Sequence, residues 1–213
     1  GESAFNSCSS LKSVLHLDSI QHLGVRAFGD CSSVQVVDMS KAGESITFES
    51  NEKNAFTQLG MNSVIYVANN LDSLADQYEG IYSRGKTALA VTNGGTFSDS
   101  ATFTVGTLAT PVKDDSVFGG WYEDAEFTGN PVTEVQAGKT YYAKWNPAVL
   151  SGNCGAEGNK EHVHWALTKN TDYTLTISGD GAMADYSCNI TRNDATKPWR
   201  ESQTGVAPSA ISK

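Results

Sequence analysis

The sequence predicts a mainly β, multidomain fold in which stacked repeats, a small β module and a β-hairpin segment follow one another. Three observations predict it. A motif recurs at 23-residue spacing in the first third, short alternating runs between Gly and Asn turns fill the middle, and a second pair of alternating runs opens the last third.

The repeat comes first along the chain. Ala4-Phe5 recurs as Ala27-Phe28 and Cys8-Ser9-Ser10 as Cys31-Ser32-Ser33, while Leu11 maps onto Val34, Val14 onto Val37 and His16 onto Met39. A third, looser copy holds Ala55-Phe56, Leu59 at the Cys position, and Ser63-Val64-Ile65-Tyr66-Val67 as its strand. A unit of this size with one short β-run cannot bury its own apolar face, so neighbouring units must stack and share a core. After Val67, Asn69-Asn70 reads as the cap of a short helix in which Leu71, Leu74, Ala75 and Tyr78 share one face, closing the stack. The pattern AF-x-x-CSSL-x-x-V resembles the BspA-like leucine-rich repeats of bacterial surface proteins over residues 1–82. That resemblance implies a leucine-rich-repeat solenoid end with its C-terminal cap. His16-Leu17 and Met39-Ser40 stand where that family usually has an aliphatic residue followed by Pro, so His16 occupies a position expected to be inward and apolar.

From Lys86 the period is gone. Leu89 and Val91, Phe103 and Val105, Val117-Phe118, and Tyr141 to Trp145 form strand-like runs, with turn signals at Asn93-Gly94-Gly95, Gly119-Gly120 and Thr128 to Pro131. Asn93 to Phe97, Gly119 to Asp124 and Tyr141 to Trp145 carry NGG-x-F, GGWYED and YYAKW. These landmarks resemble the Listeria-Bacteroides repeat, the internalin-type B-repeat, over residues 86–146. The resemblance implies a small β-grasp-like spacer module in a secreted or wall-anchored bacterial protein.

In the last third, Val163, Trp165 and Leu167 alternate with polar or small residues, and Tyr173, Leu175 and Ile177 supply a hairpin partner. SGNCG at Ser151 to Gly155, the run from Tyr173 to Tyr186 and Lys197-Pro198-Trp199 resemble the cap that precedes BspA-like repeats. Residues 150–213 therefore read as the β-hairpin cap of a second leucine-rich-repeat region, and the chain as a piece of a longer protein.

Charge and composition exclude several functions. Charged residues make up 18% of the chain, and the net −9 divides as −5 over residues 1–85, −3 over 86–146 and −1 over 147–213, leaving no basic face for nucleic acid. The longest apolar run, Val64 to Ala68, falls far short of the ~20 residues of a transmembrane segment. There is no GxSxG elbow, HExxH helix, Walker loop or dinucleotide-type Gly cluster, so no catalytic or cofactor residue is assigned.

His162 and His164 would share a strand face and could meet one ion, but a third ligand is wanting and the alternative is a solvated strand. Asp114, Asp115, Glu123, Asp124 and Glu126 lack the alternation of a calcium loop and read as acidic surface loops. Cys8 and Cys31 are expected at the same inward position of adjacent repeats as packing thiols, whereas Cys154 and Cys188 flank the hairpin and could pair in an oxidising setting.

Recognition of a partner is the function left. Strand alternation with Val14, His16, Val37 and Met39 inward turns Ser13, Leu15, Leu17, Val36, Asp38 and Ser40 outward, and Ser13, Leu15, Leu17, Val36 and Asp38 form the candidate partner-binding strip. The alternative is a local register shift that buries its apolar members. Trp121, Tyr122, Tyr141, Tyr142 and Trp145 could stack on sugars if exposed, although a module of ~60 residues needs most such rings for its core. The expected protein is an extracellular or cell-surface adhesion or recognition segment. Its partner would be a host or bacterial surface protein, or a glycan if it is instead an accessory or spacer module of a larger secreted enzyme. The open ends of the stack are expected to self-associate.

Overall fold

A computed structural model describes residues 1–42, 46–48, 55–68, 86–99, 101–158, 160–169, 172–185 and 211–212. The fold is mainly β. Its strands are β1 (Ser13–Val14), β2 (His22–Leu23), β3 (Val36–Met39), β4 (Thr47–Phe48), β5 (Ser63–Val67), β6 (Thr87–Val91), β7 (Ser116–Tyr122), β8 (Thr140–Pro147), β9 (Leu150–Asn153), β10 (Val163–Lys169), β11 (Tyr173–Gly179) and β12 (Ile211–Ser212). Among the described residues no helix is long and apolar enough to cross a membrane. The helix expected after Asn69-Asn70 lies outside the described residues.

The chain divides into two compact units, Gly1–Pro111 with Gly119–Lys144, and Val112–Phe118 with Trp145–Lys213. These boundaries differ from the three segments expected at 1–82, 86–146 and 150–213. The reason is strand pairing: β6, read from sequence as the opening of the middle module, is the fourth rung of a parallel ladder begun by the repeats. A six-stranded sheet runs β1-β3-β5-β6-β8-β7. Ser13 lies beside Val36, Val36 beside Val64, Val64 beside Ala88, and Ala90 beside Tyr141, all in parallel pairs. A second, two-stranded parallel ladder joins β2 to β4.

Repetition in the sequence becomes repetition of backbone geometry. The turn around the Ala-Phe motif places Ser7, Asp30 and Gln58 at φ 61°, 56° and 61°, the same left-handed corner in three successive repeats. Phe5 N–H donates to Ala27 C=O and Ser7 N–H to Gly29 C=O. One repeat later Phe28 N–H donates to Ala55 C=O and Asp30 N–H to Thr57 C=O. These bonds satisfy turn amides that strands leave unpaired. The rings follow: Phe5 stacks on Phe28 at 5.1 Å between centroids and Phe28 on Phe56 at 5.6 Å, each pair 8° from parallel. Between this spine and the sheet lies a core that includes Val14, Val34, Val37, Met39, Leu59, Ile65, Val67, Leu89 and Val91.

In the second compact unit β10 is flanked by β9 and β11, both antiparallel, and β12 runs parallel to β11. The hairpin expected from alternation is present, with Trp165 opposite Ile177 and Leu167 opposite Leu175. Cys154, Val163, Trp165 and Leu167 form its core, with Leu150, Tyr173 and Leu175 packed against them. Gly152 lies against the Trp165 indole, where a Cβ would come within 2.7 Å of Nε1. His162 belongs to a short 3-10 turn, Lys160–His162, and not to the strand, so His162 and His164 lose the shared face expected of them.

Candidate recognition surface

Two of the five candidate strip residues, Ser13 and Leu15, are half-buried; Leu17, Val36 and Asp38 are only 7%, 7% and 8% exposed. The exposure expected of the strip is therefore absent for three of its residues, and Ser40 is buried as well. Two separate causes act.

The first is local. β1 ends after Val14, and His16 takes φ 59°, which breaks the two-residue alternation. Leu17 consequently turns into the core beside Val14, while the imidazole of His16 points outward, 3.7 Å from Asp99. His16 was expected inward. A left-handed residue at the strand end exchanges the two positions.

The second cause is tertiary. Val36 and Asp38 of β3 lie in register with Val64 and Tyr66 of β5, which pair in turn with Ala88 and Ala90 of β6. All six are buried. The Tyr66 ring meets Phe97 at 4.7 Å, Phe103 at 5.6 Å and Trp121 at 6.1 Å, and Phe97 and Phe103 contact each other at 5.1 Å. The segment following β6 thus folds back onto the sheet face that the repeats would otherwise present. Ala109 helps to anchor it with both of its backbone groups: its N–H donates to Tyr66 Oη at 2.8 Å, and its C=O accepts from Trp121 Nε1 at 2.9 Å. Burial pushes the Tyr66 phenol above its ordinary pKa.

Asp38 carries the only carboxylate that is buried among the described residues. Its Oδ1 accepts the Ser40 backbone N–H at 2.9 Å. Desolvation raises its pKa, against the downward pull of hydrogen bonds from Ser40. Such a group suits a closed face better than a binding strip, since a partner gains little from a charge it cannot reach.

The other candidates separate in space. His162 Nδ1 lies 3.9 Å from Asp180 and His164 Nδ1 4.0 Å from Asp114, each imidazole facing its own carboxylate. Glu123 pairs with Lys139 at 2.9 Å, Asp124 accepts from the Thr128 N–H and hydroxyl, and Asp115 bonds Ser151. No three His, Cys, Asp or Glu side chains among the described residues gather as metal ligands. Of the aromatic set, Trp121, Tyr122 and Tyr141 are buried, and Trp145 packs edge-on against Phe118 at 5.5 Å. Cys31 is fully buried and its Sγ donates to Phe5 C=O at 3.1 Å, but Cys8, expected inward, is exposed. Cys188 lies outside the described residues.

Tyr66, Phe97 and Phe103 organise this face, and one signal for it stood in the sequence. Val64-Ile65-Tyr66-Val67 is apolar at every position, which marks a strand covered on both sides. Comparison with protein-family models, with curated proteins and with solved structures gives no match to the chain.

Proposed function

We propose that the chain is a non-catalytic recognition segment of a bacterial protein acting outside the cell or on its surface, with adhesion or protein binding as its role. In this reading residues 1–82 are BspA-like leucine-rich repeats. Residues 86–146 are a Listeria-Bacteroides repeat, and residues 150–213 cap a further repeat region. The observation that carries it is the Phe5, Phe28, Phe56 spine with its matched inter-repeat hydrogen bonds. Structure repeated at that regularity makes a rigid scaffold for displaying a surface.

Burial of Val36 and Asp38 moves the expected contact surface away from the middle of the sheet. Ser13 and Leu15, at the sheet edge, remain partly accessible. The β11–β12 pair supports the cap assignment, because a strand parallel to the last antiparallel one is what a following repeat ladder would extend. Burial of Trp121, Tyr122 and Tyr141 gives the glycan-binding alternative little ring surface to use. Arrays of bacterial and host extracellular proteins, run beside a glycan array, test the reading. Saturable binding to a protein is expected, and binding to sugars alone overturns it.

A further inference from the structure

Of the chain's 14 asparagines only Asn93 is followed by glycine. The pair forms a tight turn between β6 and the segment that folds back over the sheet: Asn93 and Gly94 take φ 51° and 84°, and Gly95 N–H returns to Thr92 C=O at 3.1 Å. Both central residues of such a turn need positive φ, a demand that Asn-Gly meets at low cost. The turn is held on two sides. Thr92, fully buried, sends its N–H and its hydroxyl to Val67 C=O of β5 at 2.8 and 3.0 Å. Asn93 Nδ2 donates to Ala143 C=O of β8 at 2.7 Å. The last β6–β8 pair is Val91 beside Tyr142, so this side chain supplies a further rung after the backbone has turned away. An amide is required there, because an ionised carboxylate has no hydrogen to give a carbonyl.

We propose that Asn93 is a self-modification site: it stays an amide while the turn is closed and becomes aspartate or isoaspartate once the turn opens, which marks the opened chain for good. Glycine puts no Cβ beside its own backbone nitrogen, and Gly94 is exposed. In the opened turn the Gly94 nitrogen gives its proton to water and attacks Asn93 Cγ. The new N–Cγ bond forms, the Cγ–Nδ2 bond breaks, and Nδ2 leaves as ammonia with a proton from water. A water molecule then adds to one of the two carbonyls of the five-membered ring and opens it. The net change is an amide and water into a carboxylate and ammonium, with no oxidant or other reactant. The closed turn blocks the first step, since Nδ2 is engaged by Ala143 and ring closure requires Asn93 to leave its turn conformation. After the reaction the rung is lost. Aspartate has no hydrogen for the carbonyl of Ala143, a fully buried residue, and isoaspartate routes the backbone through Cβ and lengthens the turn. The proposal stands whether or not the chain is an adhesin.

Incubation of the unsubstituted chain in mildly alkaline buffer, folded and in denaturing guanidinium, tests it. The tryptic peptide of residues 87–113 holds no other asparagine and no glutamine, so its change from amide to acid mass reports Asn93 alone. Conversion in the folded chain should be at least about tenfold slower than in guanidinium. Asn93→Asp supplies a second readout. Asp-Gly suits the same turn, so this variant changes the amide alone. Hydrogen-exchange protection of the Thr87–Val91 amides should fall at least about tenfold below that of the parent at neutral pH. The difference should shrink below about pH 4, where a protonated carboxyl can again donate to Ala143. Equal conversion in the two conditions, no conversion in guanidinium, parent-level protection in Asn93→Asp, or a loss of protection unchanged in acid would each overturn the proposal.

Discussion

Asp38 shows how a single side chain reports the closure of a face. Its carboxyl is held above the ordinary carboxylate range by burial, so the folded state retains that proton to higher pH than the unfolded chain does. A raised acid pKa costs stability as pH climbs from the unfolded value through the folded one. Asp38→Asn removes the buried charge while Oδ1 can still accept the Ser40 N–H. The variant should therefore resist urea better than the parent at pH 7, and the gap should close below about pH 4, where both states of the parent are protonated. A variant no more stable at pH 7 would contradict the burial argument. Tyr66→Phe probes the same face: it leaves the ring contacts and removes the acceptor of the Ala109 N–H, a loss of about 1–3 kcal/mol in equilibrium unfolding.

Among the elements, the stacked turns carry a graded prediction. Phe5 is half-exposed, whereas Phe28 and Phe56 are buried within the same column. Truncation to Ala should cost about 1 kcal/mol at Phe5 and about 3–5 kcal/mol at Phe28 and Phe56. Equal losses at all three positions would mean that the rings do not form one column. Gly60 marks a second limit on the stack. A Cβ there would meet Gln35 Nε2 and, at 2.7 Å, Val34 C=O, and the Gly60 N–H already bonds Val34 C=O at 3.0 Å. The side-chain amide can swing away but the carbonyl cannot, so Gly60→Ala should push adjacent repeats apart and cost about 1–3 kcal/mol. Chemical denaturation of the four variants, compared at one pH, measures both effects.

For the whole molecule, the sheet and the segment folded onto it make one body within the first compact unit. Tyr66 of β5 and Trp121 of β7 lie in a common aromatic cluster, and β6 is hydrogen-bonded on one side to β5 and on the other to β8. A spacer would unfold independently of the repeats; this segment should not. With Trp145, Trp165 and Trp199 replaced by Phe, the fluorescence of Trp121 should change in the same denaturant transition that exposes the amides of Val36–Met39 to exchange. An earlier, separate Trp121 transition would refute the shared core.

Much of this was legible in the residues. The 23-residue recurrence of Ala-Phe and Cys-Ser-Ser implied stacking, because a short repeat cannot cover its own apolar side. Alternation at Val163 to Leu167 and Tyr173 to Ile177 implied the hairpin, because a period of two assigns each side chain to a face; its register came from the structure. What the outer face of the sheet meets was not legible by the same means. Periodicity describes a strand's own two sides and carries no information about which distant segment comes to lie on them. The unbroken apolar run at Val64 to Val67 required a cover without naming it. A left-handed His16, a local departure from alternation, turns Leu17 inward, and only tertiary folding decided that Phe97, Phe103 and Trp121 provide the cover and that Val36 and Asp38 are hidden from solvent. The sequence by itself determined the repeat and most of the positions it turns inward; long-range packing decided that the other face of the sheet is covered as well.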